Sequence, residues 1–157
     1  MTIRTFIHSR SKRAEAVTLL DSGAMENFMN LEYAKYLQMP IKCLKEPRKL
    51  YNVDGTLNQS GELQYFINVQ MQTETQHSTL WFFLSNLGEN KIILGYPWFA
   101  AFQPRIDWKR GWIDHGQLPV IICSVDTSQA WFLPWCINKI WTTSNEKIYI
   151  CRIVTGP

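Results

Sequence analysis

The stretch Val17–Ala24 reads Val-Thr-Leu-Leu-Asp-Ser-Gly-Ala, and it decides more about the fold than any other part of the chain. It is an apolar, β-prone run that ends abruptly in a carboxylate, a hydroxyl and a glycine. Asp-Ser-Gly very often simply begins a turn, and these three residues alone favour that structural interpretation. A carboxylate placed at the end of an apolar run costs free energy if it is buried alone, so Asp21 is the first residue to consider for chemistry.

The sequence on both sides of this stretch predicts short strands separated by turns. Ile3–His8 and Ala14–Leu20 are β-prone runs flanking a polar segment, which predicts a hairpin. Leu63–Met71 alternates apolar and polar residues, which is typical of a strand with one buried face. Further strands are predicted over Leu80–Leu84 and Lys91–Leu94, and residues 106–113 predict a last hairpin. The pattern up to about residue 114 therefore predicts an all-β fold.

Helix is scarce in this pattern. Asn30 can cap a short helix that Pro40 stops. Trp98–Phe102 is a second candidate, and it ends before Pro104. After Gly116 the sequence shows no period, so no element is assigned there.

Two further features follow Asp21 along the chain. Val53–Thr56 reads Val-Asp-Gly-Thr, and Asp-Gly between β-prone residues is a strong signal for a tight hairpin turn. Lys91–Gly95 is a second apolar strand that ends in glycine. The order of these parts is more informative than any one of them.

Taken in this order, the parts resemble the retropepsin-like aspartic proteases, most closely those of gypsy-class LTR retrotransposon polyproteins. The resemblance covers roughly residues 1–114 and rests on four motifs, which are Asp21-Ser22-Gly23-Ala24 with Asn27-Phe28-Met29, Asp54-Gly55-Thr56, Ile93-Leu94-Gly95-Tyr96-Pro97-Trp98, and Ile106-Asp107-Trp108-Lys109. Met25 stands where the family often has Thr, outside the catalytic triplet. The resemblance implies a closed β-barrel of the acid protease fold with one or two short helices. It places the protease domain in residues 1–115 and leaves residues 116–157 as a C-terminal extension of uncertain structure.

The resemblance also implies the roles of individual residues in an aspartic endopeptidase. Asp21 is expected to be half of an acid/base pair, and Ser22 to form a hydrogen bond to the active-site loop of a partner chain. Gly23 is expected to let this loop turn without a Cβ clash, and Ala24 to keep it compact and to contribute to the substrate-binding site. The flap, Val53–Thr56, is expected to close over an extended polypeptide substrate of the Gag-Pol polyprotein type and to bind its backbone as an added strand.

The chemistry of two carboxylates agrees with this expectation. Hydrolysis without a metal or a covalent nucleophile needs one group to take a proton from water and another to give one. Two carboxylates in close contact hold one shared proton and can do both. The chain has one Asp-Ser-Gly triplet, so the second carboxylate is expected from a second chain in a homodimer. The internal alternative, Asp126, lacks the glycine, and only 29 residues follow Ser128.

Length and composition limit the number of domains, the class of partner and the cellular location that we expect. A length of 157 residues fits about one domain. The net charge is +3, with 16 basic and 13 acidic residues and no basic tract, so neither nucleic acid in general nor a basic RNA-binding sheet is favoured. We expect no membrane segment. We therefore expect the chain to be intracellular, either in the cytoplasm or within a virus-like particle.

The cysteines and histidines show neither a disulfide framework nor metal-ligand spacing, so no metal and no cofactor are expected. They are Cys43, Cys123, Cys136, Cys151, His8, His77 and His115. The tryptophans Trp98, Trp108 and Trp112 are expected to pack in a core or an interface. The alternative to an enzyme is a catalytically inactive, retroelement-derived module for dimerisation or protein binding.

Overall fold

In a computed structural model of the chain, the described residues are 1–9, 12–73, 76–107, 109, 112–114 and 148–150. The strands within these ranges are β1 Thr2–His8, β2 Arg13–Leu20, β3 Phe28–Asn30, β4 Lys42–Asn52, β5 Leu57–Thr73, β6 Gln76–Ser85, β7 Ile92–Leu94, β8 Arg105–Asp107, β9 Trp112–Asp114 and β10 Ile148–Ile150. The helices are α1 Leu31–Tyr36 and α2 Tyr96–Phe102.

Six strands form a closed barrel. They follow the order β1-β2-β7-β3-β6-β5, and β1 pairs with β5 to complete the ring. β4 extends the sheet from β5 outside this ring, and β10 pairs with the outer side of β4. β8 and β9 form a separate antiparallel pair, as the sequence predicted for residues 106–113. The closed arrangement confirms the all-β barrel with two short helices.

The long strand β5 belongs to both the barrel and a projecting hairpin. Its buried residues Leu63, Ile67 and Val69 alternate with exposed Gln64 and Gln70, which confirms the predicted half-buried strand. Its second part pairs with β6 in the barrel wall. Its first part pairs with β4, so the strand is longer than the alternation alone predicted.

The short strand β7 lies between β2 and β3. It runs parallel to β2, with Leu94 opposite Leu20, and antiparallel to β3, with Ile93 opposite Phe28. All three residues of β7 are fully buried, as a continuous apolar run in a central strand requires. Because β2 and β7 are parallel and in register, the chain leaves both strands at the same edge of the sheet, at Asp21 and at Gly95.

Two apolar clusters hold these elements together. The larger fills the barrel and includes the fully buried Trp98, which confirms the core position predicted for it. The smaller, called the flap cluster here, consists of Ala24, Phe28, Leu50, Leu63, Phe83, Leu87 and Ile93. The flap cluster joins β4 and β5 to the loop that follows β2.

The start of each helix is favoured by a particular residue. The Asn30 side chain accepts hydrogen bonds from the backbone amides of Glu32 and Tyr33 at the start of α1, as predicted. α2 begins two residues before the predicted start, with Pro97 in its first turn, where proline is well tolerated. No helix in the described part of the chain is long and apolar enough to cross a membrane.

Candidate active site

The loop after β2 is a tight turn built around Asp21. The Asp21 backbone amide donates to the Leu94 carbonyl oxygen at 3.0 Å. Its carbonyl oxygen accepts from the Ala24 amide at 3.0 Å, and its Oδ1 accepts from the Gly23 amide at 3.0 Å. These bonds fix both the backbone and one carboxylate oxygen of Asp21.

The second carboxylate oxygen of Asp21 has a different environment. Asp21 Oδ2 is buried and has no hydrogen-bond partner among the described residues. Ser22 and Gly23, directly beside it, are exposed. Buried polar atoms are nearly always hydrogen-bonded, and an exception indicates strain, a catalytic role or a water or ion that completes the bonding. The loop therefore presents a partly shielded carboxylate next to a surface that another molecule can reach.

Gly95 lies against this loop without room for a side chain. A Cβ at this position would lie 2.6 Å from the Ala24 carbonyl oxygen and would overlap the Glu26 carbonyl oxygen as well. The Tyr96 amide donates to the same Ala24 oxygen at 2.7 Å. Gly95 has φ −97°, an ordinary backbone conformation, so space and not dihedral freedom requires glycine here.

Asn27 connects the loop to the barrel. It is only 4% exposed, and its Oδ1 accepts from the Gly95 amide at 3.0 Å. Its Nδ2 donates to the Trp81 carbonyl oxygen at 3.3 Å. The sequence motif contains Asn27, but its bridging role was not predicted. A polar amide within the otherwise apolar run of residues 27–29 was the available signal, because a buried amide needs partners on both of its ends.

The flap tip is a compact network of hydrogen bonds. Asp54 Oδ1 accepts from the Thr56 hydroxyl at 2.6 Å and from the Thr56 amide at 2.9 Å. The Asn52 side chain donates to the same hydroxyl at 3.0 Å and accepts from the Asn58 amide group at 2.7 Å. Gly55 has φ +82°, so the tight turn predicted from Asp-Gly is confirmed. Asn52 and Asn58 extend this network beyond the residues that the sequence singled out.

The ionisation of Asp54 is coupled to this network. The hydrogen bonds from the Thr56 hydroxyl, and then from the Thr56 amide, hold the pKa of the Asp54 carboxyl below its ordinary value. The lowered pKa stabilises the folded tip at pH values above the ordinary pKa of an aspartate. This stabilisation is lost as the pH falls through the lowered pKa. This contribution is therefore fully present at neutral pH.

The structure places the predicted site residues on two separate elements of one chain. Asp21–Ala24 form the loop after β2, and Val53–Thr56 form the exposed end of the β4–β5 hairpin. The flap cluster connects the two, because Ala24 of the loop packs in it together with Leu50 and Leu63 of the hairpin. Gly23 has no positive φ, so its role in shaping the loop stays a prediction. Asp126 lies outside the described residues.

The chain is similar to one protein family in sequence and to solved structures in fold. The model of the PEG10/RTL1 protease domain family matches residues 17–118. Among solved structures, the retroviral protease-like domain of Ddi1 from Leishmania major is similar with a TM-score of 0.51 at 15% sequence identity, over 73% of this chain and 84% of that chain. EIAV protease in complex with the inhibitor HBY-793 aligns with a TM-score of 0.43 at 17% identity, over 64% of this chain and 85% of that chain. Comparison with curated proteins gives no match.

The family match covers well over half of the chain and contains the Asp21 loop, the flap and Gly95. The Leishmania domain shares the fold. The barrel, the loop geometry and the family match thus lead to one assignment: the chain belongs to the PEG10/RTL1 protease domain family, which is retropepsin-like.

Proposed function

We propose that this chain is one half of a homodimeric aspartic endopeptidase that cleaves a retroelement polyprotein. In this proposal the two Asp21 side chains of the dimer form the acid/base pair. Each flap covers part of an extended polypeptide substrate. The family assignment and the barrel support a protease fold, and the specific reaction is inferred from the Asp21 loop.

The observation that carries the proposal is the position of Asp21 Oδ2. It is buried without a partner in the described part of its own chain, while the neighbouring Ser22 and Gly23 are exposed. A second copy that contacts this exposed turn across a two-fold axis brings an identical carboxylate to the first. Two like charges at about 3 Å cannot both ionise, so the pair holds one proton between them.

This shared proton gives the proposed reaction its two proton transfers. The ionised Asp21 takes a proton from a water molecule, whose oxygen attacks the peptide carbonyl carbon. The protonated Asp21 of the other chain gives its proton to the carbonyl oxygen. As the tetrahedral intermediate collapses, the C–N bond breaks and the leaving amine receives a proton from the pair.

The first test of the proposal is whether activity requires two chains. Specific activity on a peptide library is expected to fall on dilution below the dimer dissociation constant. Mixing one wild-type chain with nine Asp21→Asn chains should lower activity per wild-type chain about tenfold, because random pairing leaves about one-tenth of the wild-type chains in intact dimers. Sedimentation at the same concentrations measures the dimer fraction.

The control for this mixing experiment is the addition of nine equivalents of an unrelated folded protein, which should leave the rate unchanged. Constant specific activity in samples that sediment as monomers would contradict the paired mechanism and would make Asp126 the second carboxylate to test. A chain that dimerises but hydrolyses no peptide would instead support the inactive binding module.

A second test concerns the flap. Gly55→Val should lower kcat/KM about tenfold while the barrel stays folded, because a β-branched residue is strained at φ +82° by roughly 1–2 kcal/mol. No atom lies within 4 Å of a Cβ at Gly55, so crowding does not contribute. Gly55→Asn is the matched control, since asparagine tolerates positive φ, and it should retain most of the activity. Global unfolding of Gly55→Val, or unchanged kinetics, would show that this turn does not act as a flap.

A further inference from the structure

The strand β10 occupies the outer edge of the flap hairpin. Ile148, Tyr149 and Ile150 pair in parallel with Leu50, Tyr51 and Asn52 of β4. The other side of β4 is paired with β5. These three β4 residues directly precede the flap tip, so a segment from the C-terminal part of the chain lies beside the element proposed to hold the substrate.

The outer edge of β4 is of the kind that can pair with an extended peptide. An edge strand presents backbone amides and carbonyls that a further strand can pair with. Addition of a peptide strand to such an edge is a common mode of peptide recognition, in which the main chain supplies the hydrogen bonds. β10 uses this edge at residues 50–52, so another peptide can pair with the same residues only after β10 leaves.

The edge is connected to both parts of the proposed active site. Leu50 is fully buried in the flap cluster, which also contains Ala24 of the Asp21 loop. Asn52 accepts at its carbonyl oxygen from the Gly55 amide and donates its own amide to the Thr56 carbonyl oxygen. The three residues that β10 covers therefore run from the contact with the catalytic loop to the base of the flap tip.

We propose that residues 148–150 are an internal competitor for the substrate, bound as a strand to the flap edge at Leu50–Asn52. This inference rests on the proposed function, because it needs the flap to bind an extended polypeptide. The competitor is the backbone of this chain's own C-terminal segment. Three residues form few hydrogen bonds, so a longer extended substrate displaces the segment, and the edge is open only after that displacement.

A pair of proline substitutions in the full-length chain tests the pairing. Successive residues of a strand direct their amides to opposite sides, so the double variant Ile148→Pro/Tyr149→Pro removes whichever of these two amides faces β4. Proline also keeps the preceding residue extended, so the local shape changes little. The matched control, Ile148→Ala/Tyr149→Ala, removes the side chains and keeps both amides.

Hydrogen exchange measures whether β10 occupies the edge. The Tyr51 amide points away from β5, because the neighbouring Asn52 amide donates to Thr56 within the hairpin. It should lose protection at least about tenfold in the proline variant and keep it in the alanine variant. The β5 amides of Ile67 and Val69 serve as an internal reference for a folded barrel. Equal protection of the Tyr51 amide in all three proteins would overturn the inference.

Peptide hydrolysis measures whether the occupied edge matters for the substrate. The proline variant should show a KM several-fold lower than the alanine variant, with kcat unchanged. Loss of protection without any change in KM would overturn the competition and leave the proposed function intact. If no variant hydrolyses peptide, the proposed function fails. The affinity of a non-cleavable extended peptide, measured by fluorescence anisotropy, then replaces KM, and equal affinity for the two variants would overturn the inference.

Discussion

Replacing Asp21 by asparagine is expected to abolish peptide hydrolysis, with a loss of at least about 10³-fold, because general acid–base catalysis contributes roughly 10²–10⁴-fold and both halves of the pair change. Asparagine has nearly the same shape as aspartate, but its amide neither takes a proton from water nor holds the shared proton. The Oδ1 of asparagine still accepts from the Gly23 amide, so the loop should keep its conformation. Rates measured on a cleaved peptide, together with a thermal unfolding curve, give the result.

The control for the Asp21 variant is Glu15→Gln. Glu15 is exposed on β2 and forms a surface ion pair with Arg4 at 3.8 Å, a contact that contributes little to stability. Its loss should leave the rate within about twofold of wild type. Hydrolysis that survives in Asp21→Asn would exclude Asp21 as the catalytic carboxylate, and hydrolysis that a chelator removes would indicate a metal-dependent reaction.

The second large effect is expected at Gly95. Gly95→Ala should destabilise the protein by about 3 kcal/mol, at the upper end for an overpacked site, because the new Cβ meets two backbone carbonyl oxygens. The Ala24 oxygen cannot move alone, since it also accepts from the Tyr96 amide. The melting temperature should fall by roughly 6–12 °C, at about 2–4 °C per kcal/mol for a chain of this size. Any enzyme that stays folded should have lost activity as well, because the Asp21 loop must shift.

Gly61→Ala is the matched control for this prediction. Gly61 has φ +76° and no atom within 4 Å of a Cβ, so the substitution adds backbone strain without a clash. The expected cost is about 1 kcal/mol, with little effect on the Asp21 loop. A larger loss of stability at Gly61 than at Gly95 would show that the crowding beside the loop is relieved by small backbone shifts.

The sequence was sufficient to predict five of the six barrel strands, all but β3, and the flap turn, because their signals are local. The alternation of apolar and polar residues over Leu63–Met71 indicates a strand with one buried face. The dipeptide Asp54-Gly55 indicates a turn that needs positive φ. The Asn30 cap of α1 is equally local, since its partners lie two and three residues away. Each of these features was confirmed at the predicted place.

Features that depend on distant residues were not predicted. Asn27 bonds to Gly95 and to Trp81, and no pattern in a single sequence reports such pairs. The extension of β5 to Leu57 depends on its pairing with β4 and not on its own alternation. Ile148–Ile150 is a β-prone triplet, but its assignment as a strand requires the edge of β4, about a hundred residues earlier in the chain. The division at residue 115 and the roles of the flap residues remain predictions.

The insertion of β7 between β2 and β3 also sets the order in which the site is made during translation. The loop at residues 21–24 leaves the ribosome long before residues 92–95, which supply its neighbouring strand and the Leu94 carbonyl that Asp21 binds. At roughly 5–20 residues per second, the interval is about 4–15 seconds. A nascent chain that ends before β7 therefore carries the Asp-Ser-Gly triplet without the strand that holds it. Under the proposed function, proteolysis would have a built-in delay, since a growing chain has no formed half-site until β7 has been made.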